Sequence, residues 1–167
     1  MSKGKSSIYA MPKTHDYNAH LKWTGNLGAG TAQYTGYGRD YTVAIAGKPD
    51  LEGSADPMFR GSPELHNPED LFLLSVSSCH MLTYLALCAK HKITVVDYED
   101  RASGTMEFTP DGGGRFTGIT LAPVVTILEA DKESQAVALH DDANRLCFIA
   151  QSTKSPIHHK PSILVAG

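Results

Sequence analysis

The stretch Asn67-Pro68-Glu69-Asp70-Leu71-Phe72-Leu73-Leu74-Ser75-Val76-Ser77-Ser78-Cys79-His80 decides how the chain folds. Asn67 suits a helix N-cap and Pro68 the first helical position, while Glu69 and Asp70 complement the positive end of the helix dipole. The spacing predicts a helix from Asn67 to about His91. From Leu71 to Ala89 it carries no Asp, Glu, Lys or Arg, which is nominally enough to span a bilayer. Serines, a histidine and a threonine interrupt it, and it stands alone in a soluble composition. An apolar circumference then reads as a buried central helix, and no membrane is expected.

With 167 residues, 41% hydrophobic and 20% charged, the chain can build one domain with a real core. A single domain over residues 1–167 is expected, with 1–14 as a flexible leading segment. The formal charge is -3 and basic residues are scattered, so nucleic acid is not an expected partner. The first fifteen residues hold no apolar stretch resembling a signal peptide, so a reducing, cytoplasmic setting is expected. Structural disulfides are then disfavoured, and an oxidisable cysteine pair would be catalytic or sensing.

Working outward from the helix, Tyr17 to Trp23 alternates, Gly25 to Gly38 reads as hairpin turns between short strands, and Tyr41 to Ala46 as a strand. Lys48 to His66 reads as a long loop. Ile93 to Thr109 and Phe116 to Glu129 are β-rich arms joined by the turn Asp111-Gly112-Gly113-Gly114. A second helix is expected over about Glu133 to Ala150, and a closing strand over Pro161 to Val165. This order predicts an α+β fold with two helices packed on largely antiparallel sheet.

Three cysteines fall on the helical stretches. Cys88 is on the opposite side of the first helix from Cys79 and about 13 Å along its axis, so these two cannot join; Cys88 reads as a small buried hydrophobe. Cys79 shares its face with Phe72, Ser75 and Ala86, which lets another helix approach. On the second helix Ala136, Leu139, Ala143, Leu146 and Cys147 form one stripe, with His140 at its border. Cys147 points inward, where Cys79 could meet it. Two readings stay open: a redox pair, or ordinary buried thiols.

Asn67-Pro68-Glu69-Asp70-Leu71 followed by Ser77-Ser78-Cys79-His80, and then Cys147-Phe148-Ile149-Ala150-Gln151-Ser152, resemble the two hallmark segments of the OsmC/Ohr family of thiol-dependent peroxidases. Gly53-Ser54-Ala55-Asp56-Pro57, Phe59-Arg60-Gly61 and Ile93 to Gly104 resemble an OsmC-like subgroup, so the similarity extends over most of the chain after about His15. It implies an OsmC-like fold with antiparallel sheets wrapped around two long central helices in an intertwined homodimer, with active sites at the subunit interface. It also implies Cys79 as peroxidatic cysteine, Cys147 as resolving cysteine, and an arginine and glutamate completing the site. Glu69 matches the glutamate directly. Arg60 is the best match for the arginine, with Arg39 as the second candidate.

These roles are chemically coherent. Only a thiolate attacks a peroxide oxygen, and Cys79 sits too far inside its helix to gain much from the dipole, so a guanidinium such as that of Arg60 is needed beside it. Glu69 would hold that guanidinium by a bidentate pair. Taken singly, Glu69 is also an ordinary first-turn acid and Arg60 an ordinary loop charge. Ten helical residues put Glu69 roughly 15 Å from Cys79, so a joint role is natural only across a twofold interface.

The reading is a peroxidase that reduces an organic hydroperoxide, with hydrogen peroxide as a weaker substrate. It forms a Cys79 sulfenic acid and then a Cys79–Cys147 disulfide. An external dithiol would recycle it, and the resemblance points to dihydrolipoyl groups on a lipoylated protein. The competing class is a non-catalytic dimeric thiol sensor or small-molecule-binding protein on the same fold. No cofactor is expected. His80, His140, His158 and His159 with Cys79 and Cys147 could offer zinc ligands, but neither Cys-x-x-Cys nor His-x-x-x-His occurs, so no metal is expected. Gly25 to Gly30 lacks a following helix and is no dinucleotide loop.

Overall fold

The computed structural model describes residues 14–167. The expected leading segment lies almost entirely outside the described residues. The chain divides into two compact units, one ending at Asn67 and one beginning at Pro68.

In the first unit, β1 (His20–Trp23), β2 (Tyr41–Ala44) and β3 (Leu51–Gly53) form an antiparallel sheet in that order. No strands form between β1 and β2, where short ones were expected. The glycines there make a turn-rich connection instead: Gly28 and Gly30 take positive φ, and the Asn26 side chain accepts from both of their amides. Gly25 and Gly38 close the base so tightly that a Cβ on Gly25 would lie 2.0 Å from the Gly38 carbonyl oxygen. The expected long loop after β2 contains β3 and a single 3-10 turn, Pro57–Phe59, capped by Asp56. This unit builds almost no apolar core. β1 is exposed throughout, with Leu21 at 62%, and the buried positions are small or polar.

The second unit opens with α1 (Pro68–Lys90), which runs 23 residues as Asn67-Pro68 predicts. Two arms follow, β4 (Val95–Asp100) into β5 (Ser103–Phe108) and β6 (Gly114–Leu121) into β7 (Pro123–Ile127). They pair antiparallel about a turn in which Gly112 takes φ 85° and the Thr109 amide donates to the Gly113 carbonyl. Each arm breaks between its two strands, and Asp100 bridges the break: its carboxylate accepts from the Ala122 amide and the Ser77 hydroxyl. The chain continues through α2 (Glu133–Leu146) and α3 (Phe148–Ser152) to β8 (Ile157–His159) and β9 (Ser162–Val165). β8 joins β6 and β9 joins β7 in parallel, although antiparallel sheets were expected. The helical crossover through α2 and α3 brings the last segment back in the same direction as the strands it meets.

Two apolar clusters meet along α1. Its second half contributes Tyr84, Leu87 and Cys88, packed with Ile93, Val125, Ile127 and the α2 residues Ala136, Leu139 and Ala143. Its first half contributes Val76, packed with Ile119 and Leu121, and against them Phe72, Phe116 and Ile149. The buried stripe Val76, His80, Tyr84, Leu87 and Cys88 follows helical periodicity and removes each large side chain from water for about 1.5–3 kcal/mol. α1 is long and apolar enough to cross a membrane, but this stripe packs into the core. On the other side Leu74 is 60% and Leu82 63% exposed, so the helix is not covered all round by its own chain.

Candidate functional site

Cys79 and Cys147 lie where the two clusters meet. Cys79 is half-buried on α1, one turn beyond Val76, and Cys147 is completely buried. Both are free thiols, and their side chains are near enough to interact across the sequence interval between the helices. Cys88 is buried elsewhere, in the cluster with Tyr84, in keeping with its reading as core; burial pushes its thiol pKa up.

The second helix, expected to run unbroken to about Ala150, is interrupted at Cys147. α2 stops at Leu146, Cys147 is extended with φ -69° and ψ 116°, and a new helix starts at Phe148. No glycine or proline marks the break. The Cys147 sulfur itself provides the cap, accepting from the Ala150 amide at 3.4 Å, and its backbone amide still donates to Ala143. Burial, and then the neighbouring Cys79, push the Cys147 pKa up to about 11. At neutral pH that thiol stays protonated. The pair is thus asymmetric: one half-buried sulfur, and one fully buried and protonated sulfur beside it.

The other expected site residues are not gathered around the thiols within this unit. Glu69 is half-buried in the first turn of α1, about 15 Å along the helix from Cys79. It makes no ion pair among the described residues. It lines an open cleft of about 310 Å³ with Phe72, Met106, Arg115 and Phe116. Arg115 was not anticipated as a neighbour of that cleft, because only the pairing of β5 with β6 carries it there.

Both candidate arginines belong to the first unit. Arg60 ends the 3-10 turn in left-handed conformation, φ 68°, with an exposed side chain and no ion pair among the described residues. Arg39 is held far more firmly. Its guanidinium lies 4.6 Å from the Tyr34 ring centre and 4.0 Å from that of Tyr37, and it donates to the carbonyls of both tyrosines.

Sequence reasoning missed a buried polar contact between α1 and α2. His80, placed as a packing or secondary polar residue, is fully buried and shares a 2.9 Å hydrogen bond between its Nε2 and His140 Nδ1. The Tyr84 ring stacks on His140 with centres 3.9 Å apart. Desolvation, reinforced by the neighbouring histidines, lowers the pKa of His80 to about 4 and of His140 to about 3, so both are neutral at pH 7. Buried histidines at core-stripe positions give no distinct pattern, and only the packing of α2 on α1 joins them. Among the described residues, no group of three or more candidate ligands could hold a metal ion.

Comparisons with known proteins agree with this architecture. Residues 61–162 match the family of OsmC-like proteins. The fold is similar to an OsmC-like protein of unknown function from Vibrio cholerae, at 28% identity and TM-score 0.79, covering 89% of this chain and 100% of that one. It is also similar to an organic hydroperoxide resistance protein from Elizabethkingia anophelis, at 16% identity and TM-score 0.66, covering 93% and 100%. A third similar structure is an organic hydroperoxide resistance protein OsmC from Legionella pneumophila, at 20% identity and TM-score 0.64, covering 90% and 99%. No curated protein matches the chain. The family match extends over more than half of the sequence and includes both neighbouring thiols, and the chain belongs to the OsmC family.

Proposed function

We propose that this protein is a cysteine-based peroxidase that reduces organic hydroperoxides. The observation that carries the reading is the asymmetric pair of neighbouring free thiols, Cys79 half-buried and Cys147 fully buried. The Cys79 thiolate attacks the peroxide, an S–O bond forms as the O–O bond breaks, and the departing alkoxide takes a proton to become the alcohol. Cys147 then attacks the sulfenic sulfur; an S–S bond forms and hydroxide leaves as water with the proton from Cys147. An external dithiol, such as a dihydrolipoyl group on a protein, reduces the disulfide.

In this reading Arg60 favours the Cys79 thiolate and Glu69 orients the guanidinium, with Arg39 as the second candidate for the charge. The anchoring of Arg39 between two tyrosine rings supports it as a pre-positioned cation. A homodimer fits three observations: the distance between Glu69 and Cys79 along α1, the exposed Leu74 and Leu82, and a first unit almost without apolar core. A cytoplasmic setting would keep the thiols reduced between turnovers.

Repeated consumption of tert-butyl hydroperoxide in the presence of dithiothreitol tests the assignment. A catalyst consumes many equivalents per subunit; a single equivalent would instead identify a thiol sensor.

A further inference from the structure

The backbone of Arg60 is an outlier. Among the described residues only Arg60, at φ 68°, and Lys92, at φ 58°, take positive φ without being glycine. Arg60 closes the 3-10 turn Pro57–Phe59 with two bonds: its own amide donates to the Pro57 carbonyl at 3.0 Å, and the Gly61 amide donates to the Asp56 carbonyl at 3.1 Å. The left-handed position of such a cap is ordinarily glycine, because a side chain there crowds the following carbonyl oxygen. Here the glycine comes one position later, where close packing demands it: a Cβ on Gly61 would lie 1.6 Å from the Ala55 carbonyl oxygen. The arginine therefore occupies the strained position, with its side chain exposed.

One serine closes the segment that carries it. Ser54 is completely buried, and its hydroxyl is used in both directions, donating to Asp40 Oδ1 at 2.7 Å and accepting from the Ser62 amide at 3.0 Å. The first bond fastens the segment to the residue preceding β2, and the second brings Ser62 back to Ser54, so that residues 54–62 form a closed ring. The Ser54 amide donates to the His66 carbonyl at 3.0 Å, and Asp56 caps the turn by accepting from the Met58 amide at 2.7 Å.

We propose that Ser54 is the positioning residue for Arg60: its paired hydrogen bonds keep the ring closed, and the closed ring keeps the arginine backbone left-handed, leaving only side-chain torsions to be fixed. The inference rests on the reading in which Arg60 favours the Cys79 thiolate. A cation on an open loop must be ordered each time the thiolate forms, whereas one fixed in advance acts without that reorganisation. Backbone strain of this kind persists only where the surroundings enforce it, and the bonds that enforce it converge on one buried hydroxyl. Asp40 follows Arg39, so the same hydroxyl also anchors the segment of the second candidate arginine, and the experiment has to separate the two.

The experiment is a double-variant cycle on the reduced full-length protein, read by mass spectrometry as the rate of Cys79 alkylation by iodoacetamide at pH 7. Arg60→Ala alone should slow the reaction about tenfold and Ser54→Ala alone about threefold. The double variant should be no slower than Arg60→Ala, since Ser54 acts through the arginine. A loss of about thirtyfold, the product of independent effects, overturns the proposal. So does a wild-type rate in Ser54→Ala, or a cycle that is non-additive with Arg39→Ala instead. Asp40→Ala removes the same bond from its other end and takes the place of Ser54→Ala if that variant does not fold. A second measurement leaves the thiol aside. Arg60→Gly relieves the left-handed backbone and should raise the urea midpoint of the wild type, but raise that of Ser54→Ala less, because the opened ring has already let the arginine relax. Equal gains, or none in the wild type, overturn the proposal. If Arg60→Ala alkylates at the wild-type rate, the role given to Arg60 falls instead, and the urea comparison alone then decides whether Ser54 sets its backbone.

Discussion

Ser77 donates to Asp100 at 2.5 Å, and this one bond ties the turn of α1 just before Cys79 to the break between β4 and β5. The other oxygen of Asp100 accepts from the Ala122 amide at 2.8 Å, so the carboxylate replaces a ladder acceptor where the opposing arm changes sheet. Ser77→Ala removes one charge-assisted bond and should cost about 1–2 kcal/mol in chemical denaturation. Asp100→Ala should cost more, about 3 kcal/mol, because it leaves two donors without their partner. Equal losses for the two variants would show that the Ala122 bond contributes nothing.

The two neighbouring sulfurs should divide the labour. Cys79→Ser is expected to abolish peroxide consumption, and Cys147→Ser to accumulate one sulfenic acid per subunit and then stall. Mass spectrometry after trapping with dimedone distinguishes the two. Cys88→Ser should leave turnover intact and lower stability by about 1–3 kcal/mol, since it places a hydroxyl in an apolar cluster. Full turnover by Cys79→Ser would reject it as the nucleophile.

Activation by arginine can be read without knowing the natural substrate. At pH 7 and fixed reagent concentration, Arg60→Ala should slow alkylation of Cys79 by neutral iodoacetamide about tenfold, equivalent to about 1.4 kcal/mol. Glu69→Gln should affect alkylation little while lowering peroxide turnover through lost orientation. If Arg39→Ala produces the loss and Arg60→Ala does not, the charge belongs to Arg39.

Shared sites predict complementation. Cys79→Ser and Arg60→Ala subunits, each inactive alone, should regain activity when refolded together, because a heterodimer can contain one intact site. Gel filtration of the wild type should show a dimer. A monomeric elution volume, or no recovery on mixing, would sink the proposal of a site built by two chains.

The histidine pair sets a sign for acid stability. Folding lowers the pKa of His80 to about 4 and of His140 to about 3 from an ordinary value near 6.5. The unfolded chain therefore takes up protons first as pH falls, so their contribution is full above about pH 6.5 and is lost between there and about pH 3. His80 alone should account for about 3 kcal/mol across that window. Urea denaturation at successive pH values should show this slope, and a His80→Phe, His140→Phe double variant should lose most of it.

The beginning of α1 and the hairpin turn at Gly112 were legible because each depends on local chemistry: an Asn-Pro pair followed by two acids in one case, a left-handed glycine in the other. The Cys79 and Cys147 pairing was half legible, since two inward stripes allow a meeting without requiring it. The interruption of the second helix at Cys147 was not legible, because the cap is a sulfur that no propensity rule anticipates. The parallel joining of β8 and β9, the burial of His140 and the placement of Arg115 beside the Glu69 cleft all depend on contacts between segments distant in sequence. Local pattern carries no information about them. The arginine remained ambiguous for another reason: a guanidinium on a loop looks the same in sequence whether solvent or two tyrosine rings surround it.

The sulfur of Cys147 has a second occupation, since it holds the first turn of α3 through the Ala150 amide. Any covalent change at that atom must weaken or redirect the bond, so the Ala150 amide becomes a backbone sensor of thiol chemistry. Its resonance should move when Cys147 is oxidised or alkylated.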